Sequence, residues 1–168
     1  MNDINIYIDK LNRDMEELLD IYFDIDYECN LSTDFATYLD LEEIDYSLIT
    51  LPRMDKMFTE VLHKYFNYNF ADEMDMWCIT MLHEVGHIKT DAKIPKAKKK
   101  ADRIAKKIIT VFSKNDKIAK RYFLLPTEYA ATRWAVRWVK KHPSDYTAFI
   151  EKAKGLINNF YRNTGVTR

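Results

Sequence analysis

The sequence predicts an α+β fold that is mostly helical, a single domain over residues 1–168. A small three-stranded sheet is expected to precede a helix carrying His83-Glu84-Val85-Gly86-His87. Three observations carry this reading. Apolar residues recur at three- and four-residue steps through most of the chain, the period of an amphipathic helix. One early stretch instead alternates apolar and acidic residues, the period of a half-wet strand. The chain has 168 residues, 47% of them hydrophobic and 14% aromatic, enough for one packed core, and no repeat or low-complexity linker divides it.

Taken in order, Ile4, Ile8, Leu11, Met15, Leu18 and Tyr22 mark a first helix, with Asn2 or Asp3 as its cap. Phe23, Ile25, Tyr27 and Cys29 then alternate with Asp24, Asp26 and Glu28, which predicts a strand. Residues 38–41 and 44–51 read as two further short strands, in an antiparallel or mixed sheet ended by Pro52. Residues 55–68 and 69–90 read as helices, the second holding the His-Glu-x-x-His pattern. Residues 97–113 form a helix with Ala101, Ile104, Ile108 and Val111 expected inward and a lysine-rich outer face. A shorter helix over 116–125 should stop near Pro126. Thr127 can cap a helix to Lys141, and Ser144 a last one carrying Phe149, Ile150, Ala153, Leu156, Ile157 and Phe160.

Residues four apart project from one side of a helix, so His83 and His87 can turn ring nitrogens toward one Zn2+ ion about 2 Å away. Glu84 lies about 100° around the helix, where its carboxylate can act as a general base on a metal-activated water without ligating. Met74, Trp77, Cys78, Met81, Val85 and Ile88 form an apolar stripe beside these residues, so one side of the helix should face a core and the other a cleft. Gly86 is a poor helix former, costing about 1 kcal/mol relative to Ala, which suggests that a side chain is excluded there.

A catalytic zinc site uses three protein ligands and one open position. Position 93 is Lys, which excludes the three-histidine metzincin pattern. His63, His142 and Asp91 are candidates, and Glu128 is the strongest. It opens a helix among Tyr129, Ala130, Ala131, Trp134 and Ala135, and a carboxylate entering an apolar interface is offset by a metal cation. Tyr129 or Arg133 could stabilise an oxyanion, though nothing in the sequence selects one.

The segment Met76-Trp77-Cys78-Ile79-Thr80-Met81-Leu82-His83-Glu84-Val85-Gly86-His87, with Glu128-Tyr129-Ala130-Ala131-Thr132-Arg133-Trp134-Ala135 downstream, resembles the ImmA/IrrE-like metallopeptidases, a gluzincin-type group. The resemblance covers the two site helices and, loosely, the strands before them. It implies a minimal zincin-like fold with Zn2+ bound by His83, His87 and Glu128, Glu84 as base, and hydrolysis of a peptide bond in a specific protein substrate. The stretch between His87 and Glu128 is long and basic, unlike the family's pattern.

The formal net charge of zero divides into −15 over residues 1–88 and +15 over residues 89–168. Mutual attraction of the two halves accounts for this polarity. The alternative function is a non-catalytic zinc-scaffold binding protein, an inhibitor of phage or mobile-element type, acting through its acidic or basic half. Thirteen Lys or Arg lie between Lys89 and Arg121 and could face nucleic acid, but without interleaved aromatics that contact is not favoured. Cys29 and Cys78 read as reduced residues. With no apolar run near the roughly 20 residues of a membrane span, and no signal-peptide order in residues 1–9, a cytoplasmic protein is expected. An exposed edge within residues 44–51 could pair with an extended substrate.

Overall fold

The computed structural model describes residues 4–25, 29–32, 47–50, 54–111 and 116–165. They fall into two compact units, one of residues 1–53 with 143–168 and the other of residues 54–142.

In the first unit, α1 (Ile4–Phe23) packs along α7 (Pro143–Thr164). Leu11, Met15, Leu18, Leu19 and Phe23 are buried on α1, and Phe149, Ala153, Ile157 and Phe160 on α7. The ring of Phe23 meets Phe149 edge-on at 5.9 Å between centroids, and Tyr22 meets the same ring at 5.4 Å. The start of the strand expected over Phe23, Ile25, Tyr27 and Cys29 is therefore corrected, while residues 26–28 lie outside the described residues and Cys29 is in a strand. The helical stripe runs one step further, through Leu19 to Phe23, because that places Phe23 against Phe149. Asp24, at φ 50°, then closes the helix with its N–H donating to Asp20 O at 2.8 Å.

The three-stranded sheet is likewise not found. Among the described residues the β structure is one pair of four-residue strands, β1 (Cys29–Ser32) and β2 (Ser47–Thr50), so the molecule is predominantly helical. They run parallel, in register from Cys29 opposite Ser47 to Ser32 opposite Thr50, and not antiparallel as a hairpin would be. Parallel pairing needs a crossover of about a dozen residues. The periodicity within each strand does not reveal which of the two pairings it will adopt. The strand expected at 38–41 lies outside the described residues.

The second unit contains α2 (Lys56–Phe66), α3 (Glu73–Asp91), α4 (Lys96–Val111), α5 (Asp116–Tyr122) and α6 (Pro126–Lys141). Asp55 caps α2 by accepting the Phe58 N–H at 2.7 Å, and Asn67 closes it in the left-handed region at φ 50°. Asp72 caps α3, accepting the Asp75 N–H at 2.9 Å. The buried Asp75 carboxylate is satisfied by the Tyr68 hydroxyl and the Ala71 N–H, at 2.7 and 2.9 Å. The principal packing is α3 against α6. α3 is buried nearly all round from Met74 to Gly86, more than a one-sided stripe predicts, leaving Thr80, Glu84 and His87 as a half-buried row on one side.

Two expectations for this unit are corrected. On α4, Ala101, Ile104 and Ile108 are exposed, whereas Asp102 and Ile109 are buried. A polar contact decides that rotation: Asp102 Oδ2 accepts the Thr127 N–H at 2.8 Å. Thr127 is accordingly not the cap of α6. Leu125 stands at the cap position without a side-chain bond, Pro126 occupies the first turn, and Asp102 reaches across from α4 to serve the exposed N–H. Among the described residues no helix is long and apolar enough to cross a membrane.

Candidate metal centre

His83 and His87 lie one turn apart on α3, and Glu128 opens α6 opposite them. Their ligand atoms come within 4.8 Å of one another. His83 Nε2 is 3.1 Å from His87 Nε2 and 3.1 Å from Glu128 Oε2, and His87 Nε2 is 3.5 Å from Glu128 Oε1. A tetrahedral ion with bonds of about 2.0–2.1 Å spaces its ligand atoms about 3.3 Å apart. The three side chains therefore have both the spacing and the donor types, two imidazole nitrogens and one carboxylate, that suit a divalent metal. His83 is buried, His87 half-buried, and Glu128 only 1% exposed.

Gly86 makes this convergence sterically allowed. A Cβ there would sit 2.4 Å from the backbone oxygen of Ala131 and 2.9 Å from its Cα. α3 and α6 thus touch backbone to backbone between the motif histidines and the turn that follows Glu128. The helix-propensity cost of glycine is the condition for bringing Glu128 to the histidines.

The electrostatics are those of a buried acid–base cluster. Burial alone would lower the His83 ring's pKa, but the hydrogen bond to Glu128 and the charges of Glu84 and Glu128 outweigh it, with Lys106 opposing, and the net shift is upward. Burial pushes the Glu128 carboxyl up, yet hydrogen bonds from His83 and His87, then their charges, hold it well below the usual carboxylate range. Glu128 also lies in the first turn of α6, where the helix dipole favours an anion. It is ionised at neutral pH and needs to lose no proton to ligate.

Two residues of the site carried no role in the sequence reading. Thr132 is buried on α6, one turn beyond Glu128, and its Oγ1 lies 2.8 Å from His83 Nδ1. With Nδ1–H donating to that oxygen, Nε2 is the ring nitrogen turned to the cluster, and it can offer a lone pair to a metal once it gives up the proton it shares with Glu128. The i,i+4 spacing from Glu128 was the available signal. Lys106 of α4 forms an ion pair with Glu128 Oε1. Only its placement one turn after Asp102 could have flagged it within a lysine-rich helix.

Glu84 is half-buried beside the cluster, its Oε1 4.0 Å from His83 Nε2. The other ligand candidates lie elsewhere. His63 is exposed on α2 with Nδ1 2.6 Å from Asn69 Oδ1. His142 stacks on Trp138 at the far end of α6, about 20 Å along the helix from Glu128. Asp91, at the exposed end of α3, pairs with Lys99. Tyr129 lays its ring against Phe66, centroids 5.0 Å apart, and Arg133 is exposed.

Replacing Thr132 by Val keeps the shape and removes the hydroxyl, so the affinity of the cluster for a divalent metal should fall about 10- to 100-fold with little change in fold, as read by metal titration beside circular dichroism. Unchanged affinity would show that Thr132 does not orient His83.

Comparison with protein-family models, with curated proteins and with solved structures found no match to this chain.

Proposed function

We propose that this protein is a zinc-dependent metallopeptidase of the HExxH, gluzincin-like kind, hydrolysing a peptide bond in a protein substrate. The observation that carries the reading is the convergence of His83, His87 and Glu128 at metal-ligand spacing, with a second carboxylate, Glu84, beside them and half-open to solvent. Bound there, Zn2+ would supply a Lewis acid and lower the pKa of a water toward 7. Glu84, half-buried beside the three ligand side chains, would serve as the general base that accepts a proton at its carboxylate and hands it to the leaving amine. Thr132 holds the His83 ring, and Gly86 keeps α6 close enough for Glu128 to take part. The half-buried row Thr80, Glu84 and His87 is the side on which a substrate would approach. The resemblance of the two site helices to the ImmA/IrrE-like metallopeptidases points the same way.

Elemental analysis of the purified protein tests the first requirement. Near-stoichiometric zinc is expected in the wild type and loss of most of it in both His83→Ala and Glu128→Ala. Zinc retained in Glu128→Ala would remove the three-ligand arrangement. Proton competition gives a second check. Because the His83 pKa is raised, its ring holds a proton to higher pH than a free imidazole and must release it to ligate. Zinc affinity should therefore fall as pH is lowered through that pKa, in a titration by competition with a chromophoric chelator. An affinity independent of pH between 8 and 6 would exclude His83 as a ligand.

A second reading, a zinc-scaffold binding protein acting by association, is favoured by the charge polarity of the chain, −15 over residues 1–88 against +15 over the rest.

A further inference from the structure

A carboxylate that is 1% exposed requires compensation, because an unpaired buried charge is strongly unfavourable. The histidines facing Glu128 provide part of it. The remainder comes from α4, which brings two charged residues, one helical turn apart, against the first turn of α6. Asp102 accepts the Thr127 N–H, and Lys106 sets its ammonium on Glu128 Oε1. Along α4, Lys96, Lys98, Lys100 and Lys107 are exposed and the half-buried Lys99 pairs with Asp91, whereas Lys106, also half-buried, turns to Glu128 and sets its ammonium 5.4 Å from the centre of the Tyr122 ring. The rotation of α4 that carries Lys106 inward leaves Ile104 and Ile108 in water.

We propose that Lys106 is the counter-ion of Glu128 in the metal-free protein and that it competes with a divalent cation for that carboxylate. The second half of this inference rests on the metal reading above. The ion pair holds the start of α6 against α4 before any metal arrives, so the ligands are already in place. The consequence is a lower affinity, because an incoming cation shares Glu128 with the ammonium and is repelled by its charge. Lys106 is thus a positioning residue that sets how readily the site fills and empties.

The test uses the full chain as Lys106→Met and Lys106→Arg, with urea unfolding in the presence of a chelator and zinc titration by competition. Lys106→Met should unfold at lower urea than wild type when metal is removed, and should bind zinc at least tenfold more tightly. Lys106→Arg should restore both properties. A Met variant as stable as wild type in chelator, or one binding zinc equally or more weakly, overturns the inference. The weaker binding would instead make Lys106 an ordinary supporting partner of a ligand. Should Lys106→Met fail to fold in chelator, zinc addition and the double variant Lys106→Met/Glu128→Gln decide the matter. Recovery of folding in both supports the counter-ion role, and failure of either overturns it, the lysine then acting by packing on Tyr122. Zinc uptake by neither wild type nor Lys106→Met overturns the metal reading and the competition with it. Uptake by wild type with unchanged affinity in Lys106→Met overturns this inference alone.

Discussion

Glu84→Gln, on the metallopeptidase reading proposed above, is expected to keep its metal and to lose peptide hydrolysis by about 10²- to 10⁴-fold, the usual contribution of a positioned general base. The substitution preserves size and leaves the packing of α3 unchanged, since Glu84 belongs to the half-buried row and not to the buried sides of that helix. Its carboxylate stands 4.0 Å from His83 Nε2, beside the cluster and outside the three-atom group. Metal content should therefore be indifferent to it. The measurement pairs elemental analysis with hydrolysis of unstructured proteins and quenched peptides. Equal hydrolysis by wild type and variant would remove Glu84 from the chemistry. Zinc retained by both proteins, with no hydrolysis by either on any substrate, would move the weight to the binding-protein reading.

Gly86→Ala should destabilise the protein by about 1–3 kcal/mol, the range for overpacking, although on an isolated helix the same change would stabilise by about 1 kcal/mol. The new methyl would meet the carbonyl oxygen of Ala131 at 2.4 Å, and that neighbour is backbone, which cannot rotate aside. α6 must move outward from α3. Because Glu128 and Thr132 flank Ala131, the movement withdraws the carboxylate and the hydroxyl partner of His83 together, and any metal affinity of the cluster should fall with stability. Urea unfolding and metal titration of the one variant read both effects. A variant more stable than wild type would show that the close approach of the two backbones does not occur in solution.

The site was more legible in the sequence than the sheet was. Spacing of four residues places His83 and His87 on one side of any helix they occupy, whatever surrounds it. Glu128 was identifiable because it is a carboxylate at the head of an apolar helix, and the structure places it within 3.1 Å of His83, 45 residues away. The excluded side chain at Gly86 was also readable, though not what excluded it. The rotation of α4 was not readable. A pattern of Ala101, Ile104 and Ile108 points those residues inward, and the hydrogen bond and ion pair made by Asp102 and Lys106 with the start of α6 turned them out. The strand expected at Phe23 failed for a related reason, since a period-two alternation beginning at the end of a helix competes with the helix itself, and the ring contact with Phe149 decided the outcome.

What the sequence by itself determined was local: a helical chain, a motif whose two histidines and glutamate occupy fixed angles around α3, and a buried acid at the head of α6. These follow from bond geometry and helical period, which act over a few residues. Only the tertiary structure decided that Glu128, and not His63, His142 or Asp91, meets the histidines. It also supplied Thr132 to His83 Nδ1 and Lys106 to Glu128. Those contacts join residues tens of positions apart, and they depend on how closely two backbones approach at Gly86 and how α4 is rotated. No periodicity within a single element carries that information.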